Sequence, residues 1–203
     1  MKLKIFILFF LFIIIGCFSK KHSIKIEYYT VDYESLTYSD FKQLPVTIRV
    51  EHFLPAPFYK SDKINYSSER FKRDFYEYHR WRAYPDDIIS YFIERDFKNS
   101  ALFKGVFNVN STNPVSYVVQ GTVEDFFEQD SVNKWEAVVS LSVTLIDDNE
   151  SNFNKKILFQ KTYTSKKECK EKTAKSLAEA MSLAMKDVSN SIILDVYNFI
   201  STN

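Results

Sequence analysis

The sequence predicts an α+β fold: an antiparallel or mixed sheet with a long C-terminal helix and a shorter helix packed on it. Three observations predict it. Residues 135–145 alternate between apolar and polar side chains, as in a strand of a sheet that is covered on one face. Apolar residues recur at spacings of three and four between Lys170 and Phe199, which is typical of a long helix. Pro85, followed by a second apolar stripe, predicts the shorter helix.

The first half of the chain is predicted to contain two strands and a hairpin. Residues 23–31 and 46–53 alternate in hydrophobicity and are predicted as strands. Residues 64–66 and 71–81 are predicted as the two arms of a hairpin, with its turn at residues 67–69.

The shorter helix is predicted to run from Pro85 to about Asn99. Proline is favoured at the first helical position, because its missing N–H costs nothing there. Asp86 and Asp87 would lie at the positive end of the helix dipole, which explains them without any chemistry. The apolar stripe of this helix is formed by Ile89, Phe92, Ile93 and Phe97.

The second half is predicted as four strands followed by the long helix. The strands cover residues 105–109, 115–127, 135–145 and 156–164, with a turn at Asp147-Asp148-Asn149. The apolar stripe of the last helix comprises Leu177, Met181, Ala184, Val188, Ile192, Val196 and Phe199. This stripe is long enough to cover the apolar face of the sheet.

The N-terminus has the pattern of a lipoprotein leader. Lys2 and Lys4 precede an apolar run of 11 residues, Ile5 to Ile15, which is roughly 16 Å long as a helix and too short to span a bilayer core of about 30 Å. The run ends in Gly16-Cys17, which resembles the bacterial lipobox. We expect residues 1–16 to be removed as a signal peptide by cleavage between Gly16 and Cys17. Two alternatives are an ordinary signal peptide with a chance cysteine and a short uncleaved anchor.

Cys17 is therefore the predicted site of lipidation, by a diacylglyceryl group and an N-acyl chain such as palmitate. Two or more acyl chains hold a protein stably at a membrane, whereas one holds it marginally. Residues 17–23 would form the lipidated cysteine and a short tether, and residues 24–203 a single domain. Phe18 lacks the carboxylate that resembles an inner-membrane retention signal. This favours the periplasmic side of the outer membrane, with the inner membrane as the alternative.

Charge and cysteine content narrow the functional classes further. The full chain has 27 basic and 26 acidic residues, and loss of two lysines with the leader leaves a net charge of −1. Such a balance gives no indication of nucleic-acid binding. If Cys17 is acylated, Cys169 has no intrachain disulfide partner and is expected to be an incidental thiol.

The sequence contains no recognisable catalytic motif. It lacks a Gly-x-Ser-x-Gly elbow and a glycine-rich phosphate loop. The three histidines, His22, His52 and His79, do not have metal-ligand spacing, and residues 147–150 lack the spacing of a calcium loop. We therefore predict a non-enzymatic protein with no catalytic residues, no metal site and no cofactor other than the lipid on Cys17.

The predicted hairpin carries a cluster of aromatic side chains. Its members are Phe71, Phe75, Tyr76, Tyr78, Trp81 and Tyr84. On a regular strand Tyr76 and Tyr78 share one face, and Phe75 and Trp81 take the other. We predict that Tyr76, Tyr78 and Trp81 contribute to a partner or oligomer surface, because Tyr and Trp are enriched at interface anchors. Burial of both faces is one alternative. Lipid contact is another, although a charged stripe (Arg70, Lys72, Arg80, Arg82) should prevent deep insertion.

An ordered series of segments resembles one protein family. The series begins with residues 28–31 and 76–81, then Pro85 and its helix, and continues with residues 100–106 and 119–126 before the alternating strand and the C-terminal helix. It is similar to the ABC-type transport auxiliary lipoproteins, the PqiC-like group. Residues 54–70 are longer and more irregular than the family pattern. The resemblance implies a sheet flanked by helices, homo-oligomerisation, and partnership with MCE-domain proteins and ABC transporters that move lipids between bacterial membranes.

A second functional hypothesis stays open at this point. The lipobox and the fold class also suit an envelope-assembly lipoprotein that docks and activates a cell-wall enzyme. The series between Tyr76 and Phe126 favours the transport role. A hydrolase of envelope lipids is a third, minor alternative.

Overall fold

The computed structural model describes residues 25–131 and 134–202. A curled mixed sheet of nine strands is covered by a long C-terminal helix and a shorter helix, which confirms the predicted fold class. The predicted leader, Cys17 and the tether lie outside the described residues.

The elements are numbered along the chain. The strands are β1 (Glu27–Tyr29), β2 (Leu44–Val50), β3 (Leu54–Pro55), β4 (Lys63–Ser67), β5 (Asp74–Trp81), β6 (Phe103–Asn108), β7 (Tyr117–Asp130), β8 (Trp135–Asp147) and β9 (Ile157–Glu168). The helices are α1 (Pro85–Asn99), α2 (Phe153–Lys156) and α3 (Ala174–Thr202), and one turn of 3₁₀ helix lies at Pro57–Tyr59.

Strand β7 is the centre of the sheet. It pairs antiparallel with β8 along its whole length, and β8 pairs antiparallel with β9. Three shorter strands, β2, β3 and β4, pair in parallel with successive parts of β7. From there β2 pairs in parallel with β6, whereas β4 pairs antiparallel with β5, and β1 lies parallel to β5 at the sheet edge.

The alternation of β8 places its apolar side chains in the core, as predicted. The buried residues of that face are Trp135, Ala137, Val139, Leu141, Val143 and Leu145. The opposite face is less exposed than we predicted, because Ser140 and Thr144 are also buried. The hydroxyls of Ser140 and Thr164 share a hydrogen bond of 2.8 Å, which satisfies both polar groups between β8 and β9.

Both main helices agree with their predicted apolar stripes. Pro85 occupies the start of α1 with Asp86 and Asp87 in its first turn, as predicted. Helix α3 begins at Ala174 and not at the predicted Lys170. Thr173 caps the N-terminus of the helix at this point: its hydroxyl accepts a hydrogen bond of 3.2 Å from the N–H of Ser176.

Most of the remaining differences concern the ends of elements. The first strand comprises only Glu27–Tyr29 within the predicted 23–31, of which residues 23 and 24 are outside the described chain. Strand β9 extends to Glu168, beyond the predicted end at Thr164. Helix α2 was not predicted, and its four residues are too few to show a helical period.

Candidate partner surface on the hairpin of strands β4 and β5

The hairpin that carries the aromatic cluster is irregular. Tyr66 pairs with Asp74 near the turn, and Lys63 pairs with Arg80 at the other end, with a register shift between Lys63 and Asn65. The longer arm therefore bulges between Phe75 and Arg80. The bulge disrupts the simple alternation that the sequence predicts for residues 71–81.

Trp81 is a core residue. It is 1% exposed, and its ring centroid lies 5.1 Å from that of Phe126 on β7. Its backbone N–H donates a hydrogen bond of 2.7 Å to the carbonyl of Asp62. The prediction that Trp81 belongs to a partner surface is therefore wrong, because the end of β5 turns this indole under the sheet.

Tyr76 is half-buried and tied to β7. Its hydroxyl donates to the Glu128 carboxylate, at 3.0 Å from each oxygen, and its ring packs 5.1 Å from that of Tyr66. Burial, with the charge of Glu128 next in importance, raises the pKa of the Tyr76 phenol far above its ordinary value. Tyr76 thus fastens the hairpin to the central strand, and little of it faces solvent.

Tyr78 is the predicted surface residue that remains accessible, with 46% of its surface exposed. Three phenylalanines are also exposed on or beside the hairpin: Phe58, Phe71 and Phe75. Sequence reasoning included Phe71 and Phe75 in the cluster but missed Phe58. The signal for Phe58 was its position directly after Pro57, where the chain leaves the sheet.

Three basic side chains of this region contact carboxylates or aromatic rings of the same domain. Arg80 pairs with Asp62 at 3.1 Å. Arg73 lies 3.4 Å from both the Phe127 ring centroid and a carboxylate oxygen of Asp125. The ammonium of Lys63 lies 3.3 Å from the Phe75 ring centroid. The exposed aromatic side chains are therefore accompanied by positive charge, as at many interaction surfaces.

The fold brings His52, Asp86 and Asp87 together at the start of α1. The Nε2 atom of His52 lies 3.1 Å from Asp86 and 4.0 Å from Asp87. These ligand atoms lie close enough to hold a cation. The helix dipole and the histidine also account for both carboxylates without one. Sequence spacing did not connect His52 with the aspartates, because the histidine follows β2 and is 34 residues away from Asp86.

Two surface clefts have polar linings. One, of about 640 Å³, lies between β9 and α3, and includes Ser165, Asp187 and Asn190. The other, of about 550 Å³, lies on the polar face of β7 and β8, and includes Gln120 and Thr144. Their hydroxyl, amide and ion-paired groups suit polar contacts.

Cys169 is buried and follows the end of β9. Its N–H donates a hydrogen bond of 2.7 Å to the carbonyl of Trp135. Burial raises the pKa of the thiol to about 12, with the negative charge of Glu128 adding to the shift. Cys169 is a free, protonated thiol at neutral pH.

In the described residues, no helix has the length and apolar character needed to cross a bilayer. The model of the family described as the ABC-type transport auxiliary lipoprotein component matches residues 37–193. A search of curated proteins finds no significant match.

Two solved structures illustrate the fold similarity. A protein from Xanthomonas campestris, described as a member of the DUF330 family, is 15% identical and superposes with a TM-score of 0.77, covering 87% of this chain and 97% of its own. A hypothetical protein from Chlamydia trachomatis is 10% identical with a TM-score of 0.52, covering 79% of this chain and 100% of its own. At these identities the similarity shows the fold alone.

Proposed function

Because this chain belongs to the family of ABC-type transport auxiliary lipoprotein components, we propose that it is a non-enzymatic accessory subunit of an ABC/MCE-type system that moves lipids between bacterial membranes. The observation that carries the proposal is the family match, which extends from residue 37 to residue 193 and includes the hairpin, helix α1, the central strand and the first two-thirds of helix α3.

The proposed mechanism is mechanical. Acyl chains on Cys17 hold the protein on the periplasmic side of the outer membrane, and the folded domain docks a transporter component. A lipoprotein family implies an envelope location with a membrane anchor. Confining both partners to one membrane surface raises their effective concentration, so a weak contact suffices.

The anchor is tested by the mass of the mature protein. We expect the native material to begin at Cys17 and to carry a diacylglyceryl group and an N-acyl chain. Cys17→Ala should leave the leader uncleaved and remove the acyl mass. A native protein with a bare N-terminus at residue 17, or with an intact leader, would contradict the anchor.

The docking partner is tested by photo-crosslinking from Tyr78. A photoreactive phenylalanine analogue at this position should capture an MCE-domain or ABC transporter component from native membranes, or a second copy of this chain if the family-implied oligomer forms there. Tyr91 is the matched control, because it is an exposed tyrosine on α1, outside the hairpin. Capture of a cell-wall enzyme instead would favour the envelope-assembly role and overturn the transport proposal.

A further inference from the structure

Phe71 is the most exposed large apolar side chain of the described residues. It lies in the turn between β4 and β5, where 94% of its surface is accessible. Its backbone has a φ of 71°, in the left-handed region that residues with a Cβ rarely adopt. A ring this exposed buries little apolar surface, and a left-handed backbone costs free energy in a residue with a Cβ, so core packing explains neither feature.

The turn that presents Phe71 is held by defined hydrogen bonds. The buried hydroxyl of Ser67 lies 3.0 Å from the carbonyl of Glu69 and 2.9 Å from that of Lys72. The side-chain amide of Gln129 donates a hydrogen bond of 3.0 Å to the Ser67 carbonyl. The turn is thus fixed to β7, and it projects the Phe71 ring into solvent.

Phe71 lies between two basic residues in the sequence, Arg70 and Lys72. The Arg70 guanidinium lies 4.8 Å from the ring centroid, and in the part of the chain that the structure describes no carboxylate lies within 4 Å of it. The Lys72 side chain is exposed, and its ammonium lies 4.0 Å from a carboxylate oxygen of Glu69. An apolar ring between basic side chains is the combination with which peripheral proteins contact an anionic bilayer surface.

The direction of β1 brings the chain into the sheet from the end at which the turn lies. Strand β1 runs parallel to β5, with Glu27 opposite His79, so the chain enters β1 from the end of the sheet at which the turn lies. Cys17 is ten residues before Glu27, a span of at most about 35 Å. Phe71 is eight residues before His79, which is at most about 27 Å because the turn and the bulge shorten the path. An acylated Cys17 can therefore reach a bilayer that the turn touches.

We propose that the turn Glu69–Arg73 is a membrane-contacting element. Phe71 enters the interfacial layer of the bilayer, and Arg70 and Lys72 bind anionic lipid headgroups. The inference rests on the proposed function, since it takes the bilayer to be the one that holds the acyl chains of Cys17. It adds a second, protein-based contact that fixes the orientation of the domain on that surface.

The experiment uses the acylated full-length protein in vesicles of phosphatidylglycerol and phosphatidylcholine, with a spin label at Phe71→Cys. The control is Tyr91→Cys, at an exposed aromatic position on α1. Intact mass of the same samples shows separately whether Cys17 is acylated. We expect the label at position 71 to lose its collisions with a water-soluble nickel complex and to gain collisions with oxygen, whereas the label at position 91 stays in water.

Charge and partner controls complete the test. Arg70→Ser combined with Lys72→Ser should return the label to water, as should vesicles of phosphatidylcholine alone. A label at position 71 that is as water-accessible as that at position 91, in a protein proven to be acylated, would overturn the inference and leave the anchor intact. Protection of position 71 only in native membranes, and not in vesicles, would also overturn it and assign the turn to a protein partner.

The urea midpoint of a Phe71 variant distinguishes a role in membrane contact from a role in stabilising the fold. Phe71→Gly removes the ring and relieves the left-handed backbone, so its urea midpoint should be equal to or higher than that of the parent protein. The same variant should lose the orientation of the domain on the vesicle, measured as increased mobility of a label at position 91. A lower urea midpoint for Phe71→Gly would show that Phe71 serves the fold and would overturn the inference.

Discussion

The Tyr33 hydroxyl donates a hydrogen bond of 2.7 Å to Oδ2 of Asp96, a carboxylate that is fully buried between α1 and α3. Ser189 of α3 donates to the same oxygen at 2.7 Å, and Arg95 donates to the other oxygen at 2.8 Å. One buried charge therefore joins both helices to the segment that follows β1. Removing a donor leaves this buried charge without compensation, which lowers the free energy of unfolding.

Removing one donor should destabilise the protein measurably. Tyr33→Phe takes away a hydrogen bond to a charged acceptor, and we expect a loss of about 1.5–3 kcal/mol in the free energy of unfolding. Tyr38→Phe is the matched control, because Tyr38 donates at 2.7 Å to the neutral amide oxygen of Asn190. Its loss should be smaller, about 0.5–1.5 kcal/mol. Urea unfolding measures both, and equal losses would contradict the special role of Asp96.

The position of Asp96 on α1 indicates that it is buried, although Asp96 is not part of the predicted apolar stripe. Asp96 lies three residues after Ile93 and directly before Phe97, on the side of the helix that the stripe buries. A polar residue at such a position requires partners. Those partners, Tyr33 and Ser189, are 63 and 93 residues away, and no local pattern specifies a contact at that separation.

Gly121 is required by close packing between β7, β8 and the core. A Cβ at this position would lie 2.4 Å from a ring atom of Phe53 and 2.5 Å from the backbone oxygen of Ser142. Because Phe53 is fully buried and the carbonyl is fixed in the sheet, Gly121→Ala should lower the free energy of unfolding by about 1–3 kcal/mol.

Gly105→Ala is the matched control for this substitution. A Cβ there would meet Phe107 and Thr47 at 3.6 Å, which is ordinary van der Waals contact. We expect its urea midpoint to equal or exceed that of the parent protein, because alanine also restricts the unfolded chain. If the two variants had the same stability, the close approach at Gly121 would not limit the fold.

Local periodicity predicted the antiparallel part of the sheet better than the parallel part. The alternation of residues 135–145 and the turn that begins at Asp147 define the hairpin of β8 and β9, whose pairing is short-range. Strands β2 and β4 instead pair with β7 across long connections, as in Ile48 opposite Tyr117 and Tyr66 opposite Glu128. Their placement depends on the whole core. The bulge in β5 also depends on contacts between distant parts of the chain, so local alternation does not predict that Trp81 is buried and Tyr78 exposed.

Cys169 should react very slowly with thiol reagents in the folded protein. With a pKa of about 12, only about one thiol in ten thousand is ionised at pH 8, and the thiolate is the reactive form. In denaturing urea the reaction should become rapid. Tyr91→Cys provides an exposed thiol in the same protein as the positive control. Fast labelling of Cys169 without denaturant, measured by mass, would contradict the buried position.

Glu128 should make the fold less stable as the pH rises. Its side chain is 1% exposed, and burial raises the pKa of its carboxyl above the ordinary value despite the hydrogen bond from Tyr76. A group with a raised folded-state pKa contributes its full stability below the unfolded-state value, and that contribution is lost as the pH passes through the folded-state pKa. The Glu128→Gln side chain cannot ionise, so the stability of this variant relative to the parent should increase between pH 4 and pH 7.

The measurement is urea unfolding across this range. Glu124→Gln controls for the loss of one charge, because it removes an exposed carboxylate of the same strand. A difference between Glu128→Gln and the parent that is constant or that falls with pH would contradict the burial of this charge.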